Sequence, residues 1–246
     1  MRFAARMTFS KAFLILITFT CGAMGAQADK PIKLFAGRSE NWAAIRLENE
    51  AEAQLAKGDI ENALRTVNLA LQRDPTLWPA FYTRAKVFFL QHKYEAVIQD
   101  CNQLLRQYTL FIEAALLRAG ANAELGRYDA SLNELDHIVR IRPHLDSYAG
   151  ALRQRAWFLS TCPDPSFRNG QQAIKDAMAA CRITSWKDED MIDTLAAAYA
   201  GAGDFNFAVR NEEKALGIKG TDAQKSKRFQ QHLALFRQHR ALRLSQ

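Results

Sequence analysis

The sequence has little of the two residues that most often interrupt helices. Its 246 residues include 6 prolines and 12 glycines, and 48% of the chain is apolar. Ala, Leu, Arg, Gln and Glu are abundant, whereas strand signals are weak throughout. The composition therefore predicts an all-α protein and argues against a strand-rich fold. The length is sufficient for one sizeable domain or a modest repeat array.

Motifs of catalytic and metal sites are missing too. No histidine is paired with a carboxylate at metal-ligand spacing, no two cysteines are separated by two residues, and neither a phosphate-binding glycine loop nor a nucleophile elbow occurs. The histidines are scattered at His92, His137, His144, His232 and His239. We therefore expect neither enzymatic activity nor a bound metal or cofactor.

The first 28 residues have the three parts of a secretory signal. Basic residues through Lys11 precede a short apolar run, and small residues end in Ala26-Gln27-Ala28. The run is shorter than the roughly 20 apolar residues that a spanning helix needs. We predict a signal peptide over 1-28 that is cleaved after Ala28, and hence export to the periplasm or the extracellular space. An uncleaved membrane anchor is the alternative, and residues 29-38 are predicted to be a linker.

A lipid anchor at Cys21 is disfavoured because bulky Phe19 stands where a lipoprotein signal has a small residue.

Three other cysteines remain, which is an odd number, so at least one thiol is unpaired within the chain. In a helical hairpin centred near Pro165, Cys162 and Cys181 would lie on the order of 15 Å apart, whereas a disulfide needs Cα atoms about 4.4–6.8 Å apart. We predict no disulfide, since a bridge would require the loop to fold back along the hairpin.

A period of 34 residues runs through the middle of the chain. Three columns repeat in register: Ala51, Ala85 and Ala119; Gly58, His92 and Gly126; Ile60, Tyr94 and Tyr128. Each unit predicts two short amphipathic helices that meet at a turn, with proline after the second helix at Pro75 and Pro143. One such hairpin cannot bury its own apolar stripe, so neighbouring units must stack.

In these columns the chain resembles the tetratricopeptide repeat (TPR) family, whose pattern has small residues at the eighth and twentieth positions, Gly at the fifteenth and an aromatic at the seventeenth. The match covers 44-145 and resumes over 189-222, with departures at His92, Thr109 and Gly220. The resemblance implies a right-handed α-solenoid of about five helix hairpins. The repeats are predicted at about 44-77, 78-111, 112-145, 146-188 and 189-222, within a solenoid over 39-222.

The fourth repeat fits the period only with eight extra residues. They fall inside "TCPDPSFRNG" when Ser160 takes the turn position. Pro163 and Pro165 would stop the first helix, and Asn169-Gly170 precede the restart of the second. The surrounding stretch also resembles a lengthened repeat found in exported bacterial TPR proteins. We interpret it as a widened turn rather than a domain boundary or an active-site loop.

The ends of the solenoid have their own signals. Ser39 is predicted to cap a first helix that begins near Trp42, and Thr221 to cap a last helix over 223-246. Its apolar residues at helical spacing, Phe229, Leu233 and Phe236, would cover the last repeat. Its basic residues are Lys225, Lys227, Arg228, Arg237, Arg240 and Arg243. Two interpretations stay open: a capping helix with a solvated polar face, or a contact with anionic lipid or nucleic acid.

The resemblance also implies a binding surface, since TPR proteins commonly bind peptides or partner helices along the groove lined by the first helix of each repeat. Carried over position by position, the groove residues are Glu48, Glu52, Leu55, Tyr82, Lys86, Phe89, Leu90, Glu113, Leu116, Glu124, Gln154, Trp157, Phe158, Asp190 and Asp193. For Trp157 and Phe158, packing between repeats is an equal alternative.

The charges of this projected groove suggest the chemistry of a partner. Glu48 and Glu52 stand where TPR domains that bind C-terminal carboxylates have Lys and Asn, which excludes that mode at this site. The surplus of acids would repel nucleic-acid phosphates and favours a basic or amphipathic peptide. We hypothesise a non-catalytic scaffold or adaptor that mediates protein-protein interaction in the periplasm or cell envelope. The alternative is an envelope-associated accessory subunit that contacts the membrane through its basic C-terminal helix or an uncleaved signal anchor.

Overall fold

A computed structural model describes residues 41–141 and 145–243, and within these ranges the chain is helical and has no strand. The predictions for the signal peptide, the linker and Ser39 fall on residues outside these ranges. The helices are α1 (Trp42–Ala56), α2 (Ile60–Arg73), α3 (Trp78–Leu90), α4 (Tyr94–Gln107), α5 (Ile112–Glu124), α6 (Tyr128–Ile141), α7 (Leu145–Thr161), α8 (Gly170–Ile183), α9 (Glu189–Gly201), α10 (Phe205–Leu216) and α11 (Ala223–Arg237).

The described residues form two compact units, which meet in sequence within α6. The N-terminal unit, residues 41–131, contains the hairpins α1–α2 and α3–α4, followed by α5. Its repeated alanines, Ala51, Ala85 and Ala119, are completely buried, as are Val67 and Cys101. Small side chains at these positions let paired helices approach closely, so the 34-residue column predicted the core correctly.

The hairpin turns need a left-handed residue at one fixed place. Gly58, Gly126 and Gly203 take this conformation with φ of 78°, 73° and 88°, which glycine adopts without steric cost. His92 occupies the same place with φ of 59°. A side chain in this region costs about 1–2 kcal/mol, so the turn between α3 and α4 is strained where the others are not.

A recurring arginine connects the first helices α3, α5 and α7 to neighbouring second helices. Arg84 donates to both oxygens of Asp100 at 2.8 and 2.7 Å and also to Asn68 at 3.3 Å. Arg118, 34 residues later, donates to Asn102. In the C-terminal unit Arg155 repeats the pattern with Asp176 and Asp136. Bidentate arginine–carboxylate pairs fix orientation as well as distance, so these arginines set how successive helices align.

The C-terminal unit, residues 132–243, contains the widened turn, and the predicted turn position there is wrong. Helix α7 continues through Ser160, whose hydroxyl donates to the Ala156 carbonyl at 2.8 Å, and ends at Thr161 ahead of the two prolines. The extra residues form a short 3-10 turn (Pro165–Phe167), and Asn169 then caps α8. Gly170 is required here because a Cβ would lie 2.8 Å from the Ala202 Cα.

The predicted cap at Thr221 is also wrong, by one residue. Asn41 caps α1 through a hydrogen bond from the Ala44 amide, and Asp222 caps α11 through one from the Lys225 amide. Thr221 instead donates its hydroxyl to the Ile218 carbonyl at 2.9 Å. The last helix ends at Arg237 rather than continuing to 246, and His239 has a φ of 54°.

Among the described residues, Cys101, Cys162 and Cys181 are buried and form no disulfide bond. Burial raises the pKa of the Cys181 thiol to about 12 and also raises the pKa of Cys162. Because the thiolate is the reactive form, neither thiol is a nucleophile near neutral pH. In the part of the chain that the structure describes, no helix is both long enough and apolar enough to cross a bilayer.

Candidate functional site

The predicted groove positions of the first two repeats form one hydrogen-bonded group. The Lys86 ammonium lies 2.5 Å from a Glu52 oxygen and 4.9 Å from the centre of the Tyr82 ring. The Thr83 hydroxyl lies within hydrogen-bonding distance of both Glu48, at 2.9 Å, and Glu52. The one lysine of the projected groove is therefore held by the protein's own carboxylate and aromatic ring.

Two of the predicted groove carboxyl groups are poor anions. Burial and the charge of Glu52 raise the pKa of Glu48 to about 7, although Thr83 and Lys86 act in the opposite direction. Burial raises the pKa of Glu124 to about 8, despite a hydrogen bond from the Tyr94 hydroxyl. Counting formal charges therefore overstates the negative charge of this surface near neutral pH.

Four half-buried aromatic side chains lie together between the start of α3 and the start of α5. The ring centres of Trp78 and Tyr108 are 5.4 Å apart, those of Trp78 and Phe111 are 5.3 Å apart, and those of Tyr82 and Phe111 are 5.1 Å apart. We call this group the aromatic cluster. Only Tyr82 was predicted as a site residue, because the others lie at or beyond helix ends. Partly exposed aromatic rings provide large apolar contact areas for a partner.

The other predicted positions of the N-terminal unit divide by burial. Phe89 is 1% exposed and packs against Tyr94, and Leu116 is 5% exposed, so both belong to the core. Leu55, Leu90 and Glu113 are half-buried. The predicted groove positions of this unit that stay half-buried are therefore acidic, aromatic or aliphatic.

In the fourth repeat, all three predicted groove residues are buried. Gln154, Trp157 and Phe158 are at most 5% exposed. The ring centres of Trp157 and His232 of α11 are 6.0 Å apart, and those of Phe158 and Phe167 are 6.3 Å apart. Their surroundings match the alternative of packing between helices.

The predicted acids of the fifth repeat are covered by α11. The Lys225 ammonium lies 2.5 Å from a Glu189 oxygen and 2.8 Å from an Asp190 oxygen, and the Arg228 guanidinium donates to the other Asp190 oxygen. Lys225 and Arg228 are 3% and 6% exposed. The expectation of a solvated polar face on the last helix is therefore wrong for these two cations. Their spacing of three residues was the available signal, but the sequence does not show which face packs.

A second buried group lies beside this one, and we call it the Asp193–Glu212–His232 cluster. The His232 Nδ1 atom is 2.6 Å from Asp193 Oδ1 and 3.7 Å from Glu212 Oε1. Glu212 and His232 are completely buried, and Asp193 is 4% exposed. Neither Glu212 oxygen accepts a hydrogen bond from a donor among the described residues.

Within this cluster the two carboxyl groups behave oppositely. Burial and the adjacent charge of Asp193 hold the pKa of Glu212 well above its usual range. Burial also acts to raise the pKa of Asp193, but His232 and Arg228 more than offset it and hold that pKa below its ordinary value. In the absence of another cation, Asp193 is the anion and Glu212 is the neutral acid.

The remaining basic residues of the C-terminal segment differ in environment. Lys227 is exposed, Arg237 is bonded to Glu213 at 2.7 Å, and the Arg243 guanidinium donates to the Ser160 carbonyl at 2.9 Å. Phe229, Leu233 and Phe236 are buried, as predicted for a capping helix. Arg240 is exposed as well, so Lys225, Arg228 and Arg243 are engaged within the protein, whereas Lys227, Arg237 and Arg240 remain at its surface.

No family model matches the chain. A curated relative is a tetratricopeptide repeat and J domain-containing co-chaperone, DNJ1, from Cryptococcus neoformans var. grubii. It is 29% identical over 99 residues, which are 40% of this chain and 19% of the relative. The chain thus spans about a fifth of the length of this relative.

Three solved structures have similar folds. A thermophilic TPR protein from Thermus thermophilus is 18% identical, with a TM-score of 0.66 over 78% of this chain and 100% of that one. A TPR protein from Parabacteroides merdae is 17% identical, with a TM-score of 0.58 over 90% and 83%. YrrB, a TPR protein with an unusual peptide-binding site, is 17% identical, with a TM-score of 0.50 over 83% and 100%. The resemblance seen in the sequence is confirmed at the level of fold: the described residues are all-α, and their fold is similar to that of TPR structures.

Proposed function

We propose that this protein is an exported, non-catalytic scaffold that binds an amphipathic, basic peptide or partner helix through the first helices of its N-terminal repeats. The fold supports this proposal, since its structural neighbours include a TPR protein with a peptide-binding site. The single observation that carries it is the half-buried aromatic cluster, beside which Lys86 lies between the Tyr82 ring and the carboxylate of Glu52. Apolar rings beside acids suit a helix with one apolar and one basic face.

The raised pKa values make binding of a basic partner depend on pH. Glu48 and Glu124 carry protons over part of the neutral range. Glu48 is 3% exposed, whereas Glu124 is half-buried. An arginine placed beside Glu124 favours the ionised form of its carboxyl group, so binding releases protons. Affinity for an arginine-rich peptide should therefore rise between pH 6 and pH 9, because the ionised carboxylates are then already present.

The direct test measures fluorescence polarisation of labelled peptides with the full chain. The probes are an amphipathic leucine–arginine helix, its leucine–glutamate twin and a scrambled leucine–arginine peptide. The proposal predicts that the first binds most tightly and that Tyr82→Ala weakens it at least about tenfold, as for an interface anchor. The matched control is Tyr199→Ala, which removes a half-buried tyrosine stacked on Phe207 in the C-terminal unit. Equal losses in the two variants would contradict the proposed site.

Phe89→Ala is a poor probe of binding, although Phe89 was predicted in the groove. Its side chain is 1% exposed, so truncation would leave a cavity in the core. A loss of binding in this variant would not distinguish contact with a partner from damage to the repeat. Tyr82 does not have this drawback to the same degree because it is half-buried.

Export is the second part of the proposal, and it rests on the three-part signal of residues 1-28. Expression in a Gram-negative host, followed by fractionation and N-terminal sequencing, tests it. Mature protein in the periplasmic fraction that begins at Asp29 is the expected result. Full-length protein in the membrane fraction would favour the uncleaved anchor, and full-length protein in the cytosol would refute export.

A further inference from the structure

The Asp193–Glu212–His232 cluster has a donor set that its structural role alone does not require. It brings one imidazole nitrogen and two carboxyl groups together from three helices, α9, α10 and α11. We propose that this cluster is a structural metal site for a first-row divalent ion, with Zn²⁺ as the best fit. One nitrogen and two oxygens match the ligands that Zn²⁺ takes in proteins. The ion would join the last helix to both helices of the preceding hairpin.

The spacing of the donor atoms fits such an ion after small movements. All three ligand atoms lie within 4.8 Å of one another. Metal–ligand bonds of about 2.0–2.2 Å in a tetrahedron place ligand atoms about 3.4 Å apart. The observed separations from His232 Nδ1 are 2.6 Å to Asp193 and 3.7 Å to Glu212, one shorter and one longer than this value. Side-chain rotations that move the ligand atoms by a few tenths of an ångström to about one ångström would bring them to the spacing of a tetrahedral site.

Glu212 provides an independent reason to expect a cation. Its side chain is completely buried, it points at His232, and neither of its oxygens accepts a hydrogen bond from a donor of the described residues. The neutral acid shares a side-chain hydrogen bond with Asp193, but a buried carboxylate without donors is costly in a folded protein. A metal ion would satisfy one or both oxygens directly.

The balance of charges around the cluster also favours a divalent cation. The carboxyl groups are Asp188, Glu189, Asp190, Asp193 and Glu212, and the permanently basic side chains facing them are Arg153, Lys225 and Arg228. The carboxyl groups exceed these cations by two. A divalent ion carries the charge that would balance all of them as carboxylates.

The neighbouring side chains would support the ligands rather than compete with the ion. Arg228 is hydrogen-bonded to Asp190, and its guanidinium lies 3.8 Å from Asp193 Oδ2, the oxygen that faces away from His232. The rings of Trp157 and Phe236 have centres 6.0 and 6.3 Å from that of His232. Such outer contacts orient ligands and keep water out of a site. The sequence could not reveal this site, because its members are spread over three helices.

The test is a titration of the untagged full chain with Co²⁺, which reports its ligands by visible absorption. Because the cluster is buried, the ion is added both to the folded protein and during refolding from denaturant. The proposal predicts one Co²⁺ per chain, displaced by Zn²⁺. Its spectrum should have the strong band of four-coordinate cobalt, in which the second oxygen of one carboxylate completes the three side-chain ligands. Failure to observe saturable binding by either route would overturn the proposal.

Two substitutions in α10 distinguish Co²⁺ binding at this cluster from nonspecific Co²⁺ binding at the protein surface. Glu212→Gln should weaken Co²⁺ binding at least about tenfold, whereas Glu213→Gln, which changes the adjacent exposed carboxylate, should leave it unchanged. Equal affinity in the wild type and Glu212→Gln would refute the site. If Glu212→Gln does not fold, Asp193→Asn replaces it. In the wild type, Zn²⁺ should also raise the melting temperature and EDTA should reverse the rise; no rise would contradict a structural metal.

Discussion

The fifth repeat position holds an acid in both units, Glu48 in α1 and Asp193 in α9, but the surroundings of the acids on these two helices differ. Glu48 and Glu52 of α1 have a single lysine and a threonine beside them, and Glu52 stays half-exposed. Asp190 and Asp193 of α9 are nearly completely buried and contact several side chains of α11.

This comparison shows that a repeat position does not define a function by itself. In the C-terminal unit the last helix supplies Lys225, Arg228 and His232, so the acids stabilise the attachment of that helix. In the N-terminal unit Lys86 and Thr83 leave Glu48 without a full counter-charge, and its pKa rises to about 7. Glu52 of α1 is half-buried and so within reach of a partner, whereas Asp190 and Asp193 are buried against side chains of α11.

The largest effect should come from breaking the attachment of α11. Arg228→Met leaves Asp190 and Asp193 buried with one cation fewer, and we expect a loss of about 3–5 kcal/mol in the free energy of unfolding. The control is Arg237→Met on the same helix, whose pair with Glu213 is about half exposed and should be worth less than about 1 kcal/mol. Urea denaturation followed by circular dichroism measures both. Similar values for the two variants would show that α11 is not held by its buried charges.

A comparable test in the N-terminal unit separates core from surface. Phe89→Ala should cost about 3–5 kcal/mol because it leaves a cavity beside Tyr94. Tyr82→Ala should cost clearly less, about 1–2 kcal/mol, because its ring is half-buried. The same denaturation curves provide the measurement. A larger loss for Tyr82→Ala would mean that this ring is a core residue, and the proposed binding surface would lose its anchor.

Stability should also fall as the pH rises, through the buried carboxyl groups of the N-terminal unit. The folded pKa of Glu124 is about 8, above its ordinary value of 4.5, so the folded state holds a proton that the unfolded chain has lost. The contribution of this group is complete below about pH 4.5 and disappears as the pH approaches 8. Between pH 5 and pH 9, the free energy of unfolding of Glu124→Gln should therefore fall by about 2–4 kcal/mol less than that of the wild type. An unchanged pH profile in the variant would contradict a raised pKa.

The smallest predicted effect concerns the strained turn. His92→Gly places glycine where Gly58 and Gly126 already stand, and it should stabilise the protein by about 0.5–1 kcal/mol. The gain is reduced by loss of the hydrogen bond between His92 Nδ1 and the Tyr94 hydroxyl. Thermal unfolding of the variant checks this, with Gly58→Ala expected to shift the midpoint in the opposite direction. A destabilised His92→Gly would show that its side-chain contacts outweigh the backbone strain.

The features predicted best from the sequence are those that every repeat must have. The alanine column at Ala51, Ala85 and Ala119 and the turn glycines follow from close helix packing and from backbone conformation, which each unit meets in the same way. The widened turn was placed correctly in the chain, but Ser160 was not its first residue. A buried serine can stay helical by donating to its own helix, as Ser160 does.

The features that were missed depend on contacts between distant helices. The helix α11 has many charges on several sides, and its sequence does not show which of them face the protein. Neither interpretation of its basic residues, a solvated face or a contact with an anionic partner, therefore predicted that Lys225 and Arg228 are buried. Glu212 was not singled out because it acquires its role only beside residues 193 and 232. The count of groove acids failed for a related reason, since formal charge does not include the effect of burial on Glu48 and Glu124.

Photo-crosslinking of the amphipathic leucine–arginine peptide to the full chain tests the central claim most directly. The peptide carries a photoreactive group on its apolar face, and mass spectrometry locates the linked residues. We predict crosslinks in α1, α3 and α5, concentrated near Tyr82, that Tyr82→Ala reduces. Crosslinks concentrated in α9 or α11 instead would contradict the assignment of the open surface to the N-terminal unit.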